Sequence, residues 1–158
     1  MNHRKPVENL RDLLPELQPG QRLMGLDMGS KTIGIALSDL GRIIATPNLT
    51  LRRRKFMADA QALRAIIEEN DVGGLVIGLP LNMDGTEGPR CQSVRQFAAN
   101  LLAEIDIAVA FWDERLSTVT AERALLEADM SRRRRRQVID KMAVAIILQG
   151  ALDRLAHT

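Results

Sequence analysis

Apolar positions along this chain follow two periods. Leu23-Met24-Gly25-Leu26 and Ile33-Gly34-Ile35-Ala36-Leu37 are short continuous apolar runs divided by a tight turn, Gly29-Ser30-Lys31. They predict strands over 23–27 and 32–38, paired as an antiparallel hairpin. After a second turn, Asp39-Leu40-Gly41, residues 43–51 read as a third strand in which Pro47 marks a bulge or an edge. The period then lengthens. Phe56, Ala60, Leu63 and Ile67 recur at helical spacing and predict a helix over 55–69. Gly74–Leu79 and Ala108–Trp112 are unbroken apolar runs, as expected of strands covered on both faces. Between them lie a polar loop over 81–89 and a helix over 90–104. Ser117 or Thr118 caps a further helix reaching Ala128, and after a run of arginines a last helix covers 136–155. This order predicts an α/β fold: a mixed five-stranded sheet, with a three-stranded antiparallel part and two parallel strands, flanked by helices.

Length and composition narrow the picture. At 158 residues the chain suits one domain, read as residues 23–158, with residues 1–22 as an N-terminal extension. In that extension Val7, Leu10, Leu13, Leu14 and Leu17 can share one face of a short helix that packs on the domain, and Pro15 keeps it short. Aromatic residues are only 3%, so Leu, Ile, Val, Ala and Met must build the core. The lone Cys91 precedes Val94, Phe97 and Leu101 at helical spacing and reads as a core thiol, which suits a reducing compartment. The N-terminus has no signal-peptide pattern, and no apolar run is long enough to span a membrane. The expectation is a cytoplasmic protein, a monomer or weak homodimer, with no membrane partner.

The chemistry must fall to carboxylates. The only histidines, His3 and His157, stand at the chain ends, and there is no tyrosine. In a sheet of this type ligands collect at the carboxyl ends of the parallel strands. Asp27 ends the first strand, Asp113 and Glu114 follow the last, and Asp140 opens the apolar stretch Met142–Leu148. Each has a simpler use: Asp27 in the turn, Glu114 as a partner of Arg115 or a helix cap, Asp140 against a helix dipole. Both faces of the last strand are apolar, so its pattern does not choose between Asp113 and Glu114. Three carboxylates within about 4 Å would repel by roughly 4 kcal/mol per pair at an effective dielectric near 20. Such a cluster requires protonation or a cation among the acids. Oxygen ligands without Cys or His select Mg²⁺ or Mn²⁺ over Zn²⁺. A site of this kind can activate water against a phosphodiester and neutralise the leaving oxygen.

The net charge is only +2, but arginine is concentrated in Arg132–Arg136 and in Arg52-Arg53-Arg54-Lys55. Guanidinium forks suit phosphate oxygens. Cations ahead of a helix oppose its dipole, so Arg132, Arg133, Arg134 and their neighbours read as contacts to a nucleic-acid backbone rather than as helix support. Five such contacts to a single strand would change the salt slope by roughly 3.5. A run longer than one helical turn cannot face one way, so two or three are expected. No stacking aromatics accompany it, which argues against base-specific reading of single strands.

Four ordered segments resemble the YqgF family: Leu26–Ala36, Val76–Gly88, Asp113–Thr118, and Asp140 with Ile146-Ile147-Leu148. The likeness covers 22–155. Members have an RNase H-like fold; once assigned as Holliday-junction resolvases, they are now described as nucleases maturing the 5′ end of precursor 16S ribosomal RNA. The resemblance implies Asp27, Glu114 and Asp140 as the catalytic, metal-binding acids. It implies a substrate-side loop over 79–86 with Asn82 and Thr86 toward phosphate, and backbone contacts from Lys31 and Arg115. Lys141 stands where many relatives carry a small residue. Wider RNase H-like resolvases place an acid after the fourth strand, where this chain has Gly78-Leu79-Pro80, leaving Glu114 to complete the metal shell.

The expected activity is therefore metal-dependent phosphodiester hydrolysis on precursor 16S rRNA. Alternatives are a ribosome-assembly module that binds RNA without cutting it and a resolvase acting on branched DNA. A phosphotransferase of the actin and sugar-kinase type also opens with an Asp-Gly hairpin, but it needs two such domains and a second glycine-rich phosphate loop.

Overall fold

The computed structural model of the protein describes residues 3–117 and 132–157, with 132–140 described by backbone alone. Its strands are β1 (Arg22–Met28), β2 (Thr32–Ser38), β3 (Ala45–Arg52), β4 (Val72–Leu79) and β5 (Ala108–Asp113). They form one sheet in the order β3-β2-β1-β4-β5. β1 and β3 each pair antiparallel with β2, while β4 is parallel to both β1 and β5. The helices are α1 (Phe56–Glu69), α2 (Pro89–Glu104) and α3 (Arg132–Ala156). The mixed sheet with antiparallel and parallel parts is the one its hydrophobic runs predict.

Period-two alternation divides each strand between two cores. On one face Met24, Leu26, Ile33, Ile35, Leu75, Ile77 and Val109 pack under α1 and α2, together with Leu63, Phe97 and the buried Cys91. Burial raises the Cys91 thiol pKa, as expected of a core sulfur rather than a nucleophile. On the other face Leu23, Ala36, Val76, Ala108, Ala110 and Trp112 meet Val144, Ile147, Leu148 and Ala151 of α3. At β3, Pro47 falls where the pairing with β2 slips, between Ile35 and Ala36, and it tolerates that place because the strand is the sheet edge.

Residues 3–21 pack against the sheet. The Val7 amide donates to the Val109 carbonyl at 2.8 Å, beside the outer strand β5. A 3-10 segment, Leu10–Glu16, then lays Leu13 fully buried into the α3-side core, with Val7, Leu10 and Leu17 around it. Arg4 ties the segment down through Glu16 and Asp106. An uncovered β5 would present unpaired backbone groups, and this segment blunts it.

The last helix starts earlier than its apolar period suggests. Apolar spacing predicts a start at 136, whereas the helix runs from Arg132, so the arginine run lies inside it rather than in a preceding loop. Apolar spacing is blind there because Val138 is the first apolar residue, yet arginine is a good helix former and prolongs the helix by another turn. The helix predicted from Ser117 or Thr118 to Ala128 lies outside the described residues beyond Ser117. No helix among the described residues is long and apolar enough to cross a membrane.

Candidate active site

Strand register brings Asp27 and Glu114 to one edge and one face. Leu23 packs on the α3 side and a Cβ on Gly25 would meet Leu148 of α3, so Asp27, two residues further, belongs to the same face. In β5, Ala108, Ala110 and Trp112 line that face, and Glu114 continues the series just past the strand end. Between them runs β4, with Leu26 opposite Ile77 and Gly78 opposite Trp112. A Cβ on Gly78 would lie 2.8 Å from Oε1 of Glu114 and 2.9 Å from Cδ1 of Ile147. The Glu114 carboxylate therefore rests over the bare backbone of Gly78, in space that any side chain would take.

Asp113 faces the other way and has a different job. Its carboxylate accepts from the Arg115 amide at 2.9 Å and from the Arg115 guanidinium Nη2 at 2.7 Å. Hydrogen bonding from Arg115 holds the Asp113 carboxyl below its ordinary pKa, and the same pair raises that of Arg115. The guanidinium Nη1 also donates to the Met83 carbonyl at 3.3 Å, so Arg115 ties the end of β5 to the loop after β4.

That loop is built as a tight turn. Gly85 adopts φ +88°, and its amide donates to the Asn82 carbonyl. The Asn82 Nδ2 donates to Thr86 Oγ1, which in turn donates to Asp84 Oδ1 at 2.6 Å. The Thr86 hydroxyl holds Asp84 below its ordinary pKa. Asn82 and Thr86 thus shape the turn beside Arg115 while both remain exposed. Glu87 closes the far side through Arg95, whose guanidinium lies over the Phe111 ring.

Lys31 is exposed on the β1–β2 turn, beyond Asp27. Asp140 stands in α3 one turn ahead of Val144, whose carbonyl lies 3.5 Å from a Cβ placed on Gly25. Its side chain, like those of Arg132, Arg133 and Arg134, lies outside the described residues. Lys141 is exposed. Among the described residues no three of His, Cys, Asp and Glu cluster as a metal shell. The acids sharing this face and edge, Asp27 and Glu114, offer only oxygen, which suits a hard divalent ion, and Cys91 is buried among the α1/α2-side residues. The cradle at Gly78 keeps open the place where the Glu114 oxygens reach this edge.

Two residues of this region escape a reading by residue chemistry. Gly78 contributes by lacking a side chain; its only signal is a glycine interrupting the bulky buried run Leu75–Leu79. Arg53, one of a basic run, turns inward: its Nη1 donates to the Gly29 carbonyl at 2.7 Å, bracing the turn that follows Asp27.

The sheet order, with acids at the carboxyl ends of β1 and β5, defines an RNase H-like α/β protein. Over 85% of its length the chain superposes on 96% of Thermus thermophilus RuvC, solved with a Holliday-junction substrate, at a TM-score of 0.52 and 10% identity. A second Thermus thermophilus RuvC structure also gives 0.52. At such identity the likeness speaks for the fold alone. The chain belongs to the RuvX (YqgF) family, whose model, described as Holliday junction resolvase, matches residues 21–154. It is 61% identical over 148 residues to a protein of Paramagnetospirillum magneticum named "Putative pre-16S rRNA nuclease", covering 94% of this chain and 96% of that one. A Ruegeria pomeroyi protein of the same name is 59% identical over 150 residues, covering 95% and 97%.

Proposed function

We propose that this chain is a divalent-metal-dependent nuclease that hydrolyses phosphodiester bonds of precursor 16S ribosomal RNA in the cytoplasm. The observation that supports the reading is the placement of Asp27 and Glu114 on one face at the carboxyl edge of the sheet, with Gly78 left bare beneath Glu114. The names borne by relatives near 60% identity supply the substrate.

Asp27, Glu114 and Asp140 are the residues that would hold Mg²⁺ or Mn²⁺. Such an ion, when bound, lowers the pKa of an attacking water and offsets charge on the phosphate. Asp27 and Glu114 fix where that chemistry happens, because both leave rigid strands rather than mobile loops. Lys31 and the turn around Gly29 flank one side of the scissile phosphate. The 82–86 turn, with Asn82, Thr86 and Arg115, flanks the other. Asp113 orients Arg115 toward that turn, which leaves Glu114 as the acid of the site. From α3, two or three of Arg132, Arg133 and Arg134 bind backbone phosphates further along the strand.

The decisive assay is cleavage of a precursor 16S rRNA fragment by purified chain with Mn²⁺ or Mg²⁺. Asp27→Asn is expected to lower the rate by at least about 10²-fold, the scale seen when one preorganised charged or polar group at a reacting centre is removed, with folding unchanged. EDTA is expected to stop cleavage. Equal cleavage by Asp27→Asn would overturn the assigned role. RNA binding without cleavage under any divalent ion would replace the nuclease reading with a binding module. Cutting confined to a four-way DNA junction would move the substrate to DNA.

A further inference from the structure

The basic run Arg52-Arg53-Arg54-Lys55 divides between two faces, and the division points to a use. Arg52 pairs with Thr32, and Gly34 pairs with both Asp27 and Thr50. Arg52 therefore stands on the same face of the sheet as Asp27, two strands across and two residues along, roughly 12 Å away. Arg53 follows on the opposite side. Its guanidinium lies 5.6 Å over the Phe97 ring, which meets Phe56 edge-on at 5.7 Å, and it donates to the Gly29 carbonyl. The Arg53 amide donates to the Lys31 carbonyl at 2.8 Å. One residue thus locks the end of β3, the start of α1 and the turn after Asp27 into one unit.

What this unit displays outward is charge of one sign. Lys31, Arg52, Arg54 and Lys55 are all exposed, and among the described residues none has a carboxylate partner within ion-pair distance. Asp59, the nearest acid in sequence, is buried and accepts the Arg54 backbone amide at 3.0 Å, so it serves the local fold rather than offsetting the cations. Helix stability does not explain the placement either. Lys55 is the N-cap of α1, where the helix dipole disfavours positive charge. Cations gathered against both neighbours and dipole, beside a carboxylate edge, suit an extended polyanion.

We propose that Lys31, Arg52, Arg54 and Lys55 form a track for the sugar–phosphate backbone of the RNA as it leaves Asp27 along the rim made by the β1–β2 turn, the end of β3 and the start of α1, with Arg53 as the strut that holds the track in register. This rests on the nuclease reading for the identity of the strand. The track deepens that reading, because it assigns the substrate a direction along the carboxyl edge of β1: from Asp27 toward the end of β3 at Arg52.

The test measures binding of a short labelled single-stranded RNA to the full-length chain in EDTA, which keeps the probe intact, across a series of KCl concentrations. The triple variant Arg52→Gln/Arg54→Gln/Lys55→Gln is expected to bind at least about tenfold more weakly at low salt. Its slope of log affinity against log salt should be smaller by roughly 2, from three lost phosphate contacts to a single strand. A control, Lys5→Gln/Arg11→Gln/Arg154→Gln, removes the same charge from exposed residues in the N-terminal segment and the last turn of α3, and should leave the slope unchanged. Matching melting temperatures establish that both variants fold. An unchanged slope in the first variant, or equal changes in the two, overturns the track. Since binding is read without turnover, a chain that binds in this way yet cuts no RNA overturns the nuclease reading alone.

Discussion

The two faces of the sheet are made by the same five strands, yet they are built for different ends. Under α1 and α2 the strands present Met24, Leu26, Ile33, Ile35, Leu75, Ile77, Leu79 and Val109, large side chains in nearly every row. Toward α3 the same strands present mainly small residues, Gly25, Ala36, Gly78, Ala108 and Ala110, with Leu23, Val76 and Trp112 among them. A Cβ at Gly25 would lie 2.9 Å from the Leu148 Cβ, and one at Gly150 of α3 would lie 2.9 Å from Cζ2 of Trp112. The first face stabilises by filling volume; the second draws a helix close by omitting it. Where that second face reaches the carboxyl edge of the strands, the small residues leave room for acids. Bulk supplies stability here, and missing bulk supplies the site.

That contrast predicts different effects on rate for changes one residue apart in β4. Ile77→Ala, on the filled face, should cost about 2–5 kcal/mol of stability, the range for truncating a fully buried aliphatic side chain. Cleavage per folded molecule should remain near wild type. Chemical denaturation alongside a rate assay checks both halves, and a large loss of rate in a folded Ile77→Ala chain would break the division between faces.

Gly78→Ala, on the α3 face, should cost rate as well as stability. The added methyl takes the place of the Glu114 carboxylate, so cleavage should fall about 10²-fold, or roughly 2.7 kcal/mol in the barrier. Stability should fall by about 1–3 kcal/mol as Ile147 gives way to the new methyl. Normal cleavage by Gly78→Ala would mean that Glu114 does not need the space over Gly78 for its part in catalysis.

The smallest effect concerns the acid next to Glu114. Asp113 has its pKa lowered in the folded chain by Arg115, so its ionised form contributes stability that is fully present above the ordinary carboxylate value. That contribution is lost as pH falls through the depressed folded value. Asp113→Asn should thus be less stable than wild type at neutral pH, and the two should converge as the solution is acidified below about pH 4. Cleavage should weaken only a few-fold, through a looser Arg115 and 82–86 turn. A stability gap that stays constant down to low pH would show that the Asp113–Arg115 pair is not its source.

How much of this was legible in the residues depends on the range of the interaction. The five strands and α1 and α2 announce themselves because hydrophobic period is local; β3 was placed two residues early at its start, since the apolar Ile43 and Ile44 sit exposed in a turn ahead of it. The start of α3 escaped because arginines carry no apolar period. Asp27 could be picked out at the end of its run. Glu114 and Asp113 could not be separated, because both faces of β5 are apolar and only the contact with Gly78 on one side and Arg115 on the other tells them apart. Arg53 reads from its neighbours in sequence as one more surface cation; only the Phe97 ring and the Gly29 carbonyl around it set it apart.

Order of elements, the hairpin and the supply of acids and arginines follow from the chain alone, since each depends on neighbours within a few residues. Which acid shares an edge with Asp27, which arginine turns inward and why a glycine belongs at position 78 depend on strands and helices dozens of residues apart. Those choices were made by parallel register and by the depth to which α3 packs, quantities that exist only once the backbone has closed.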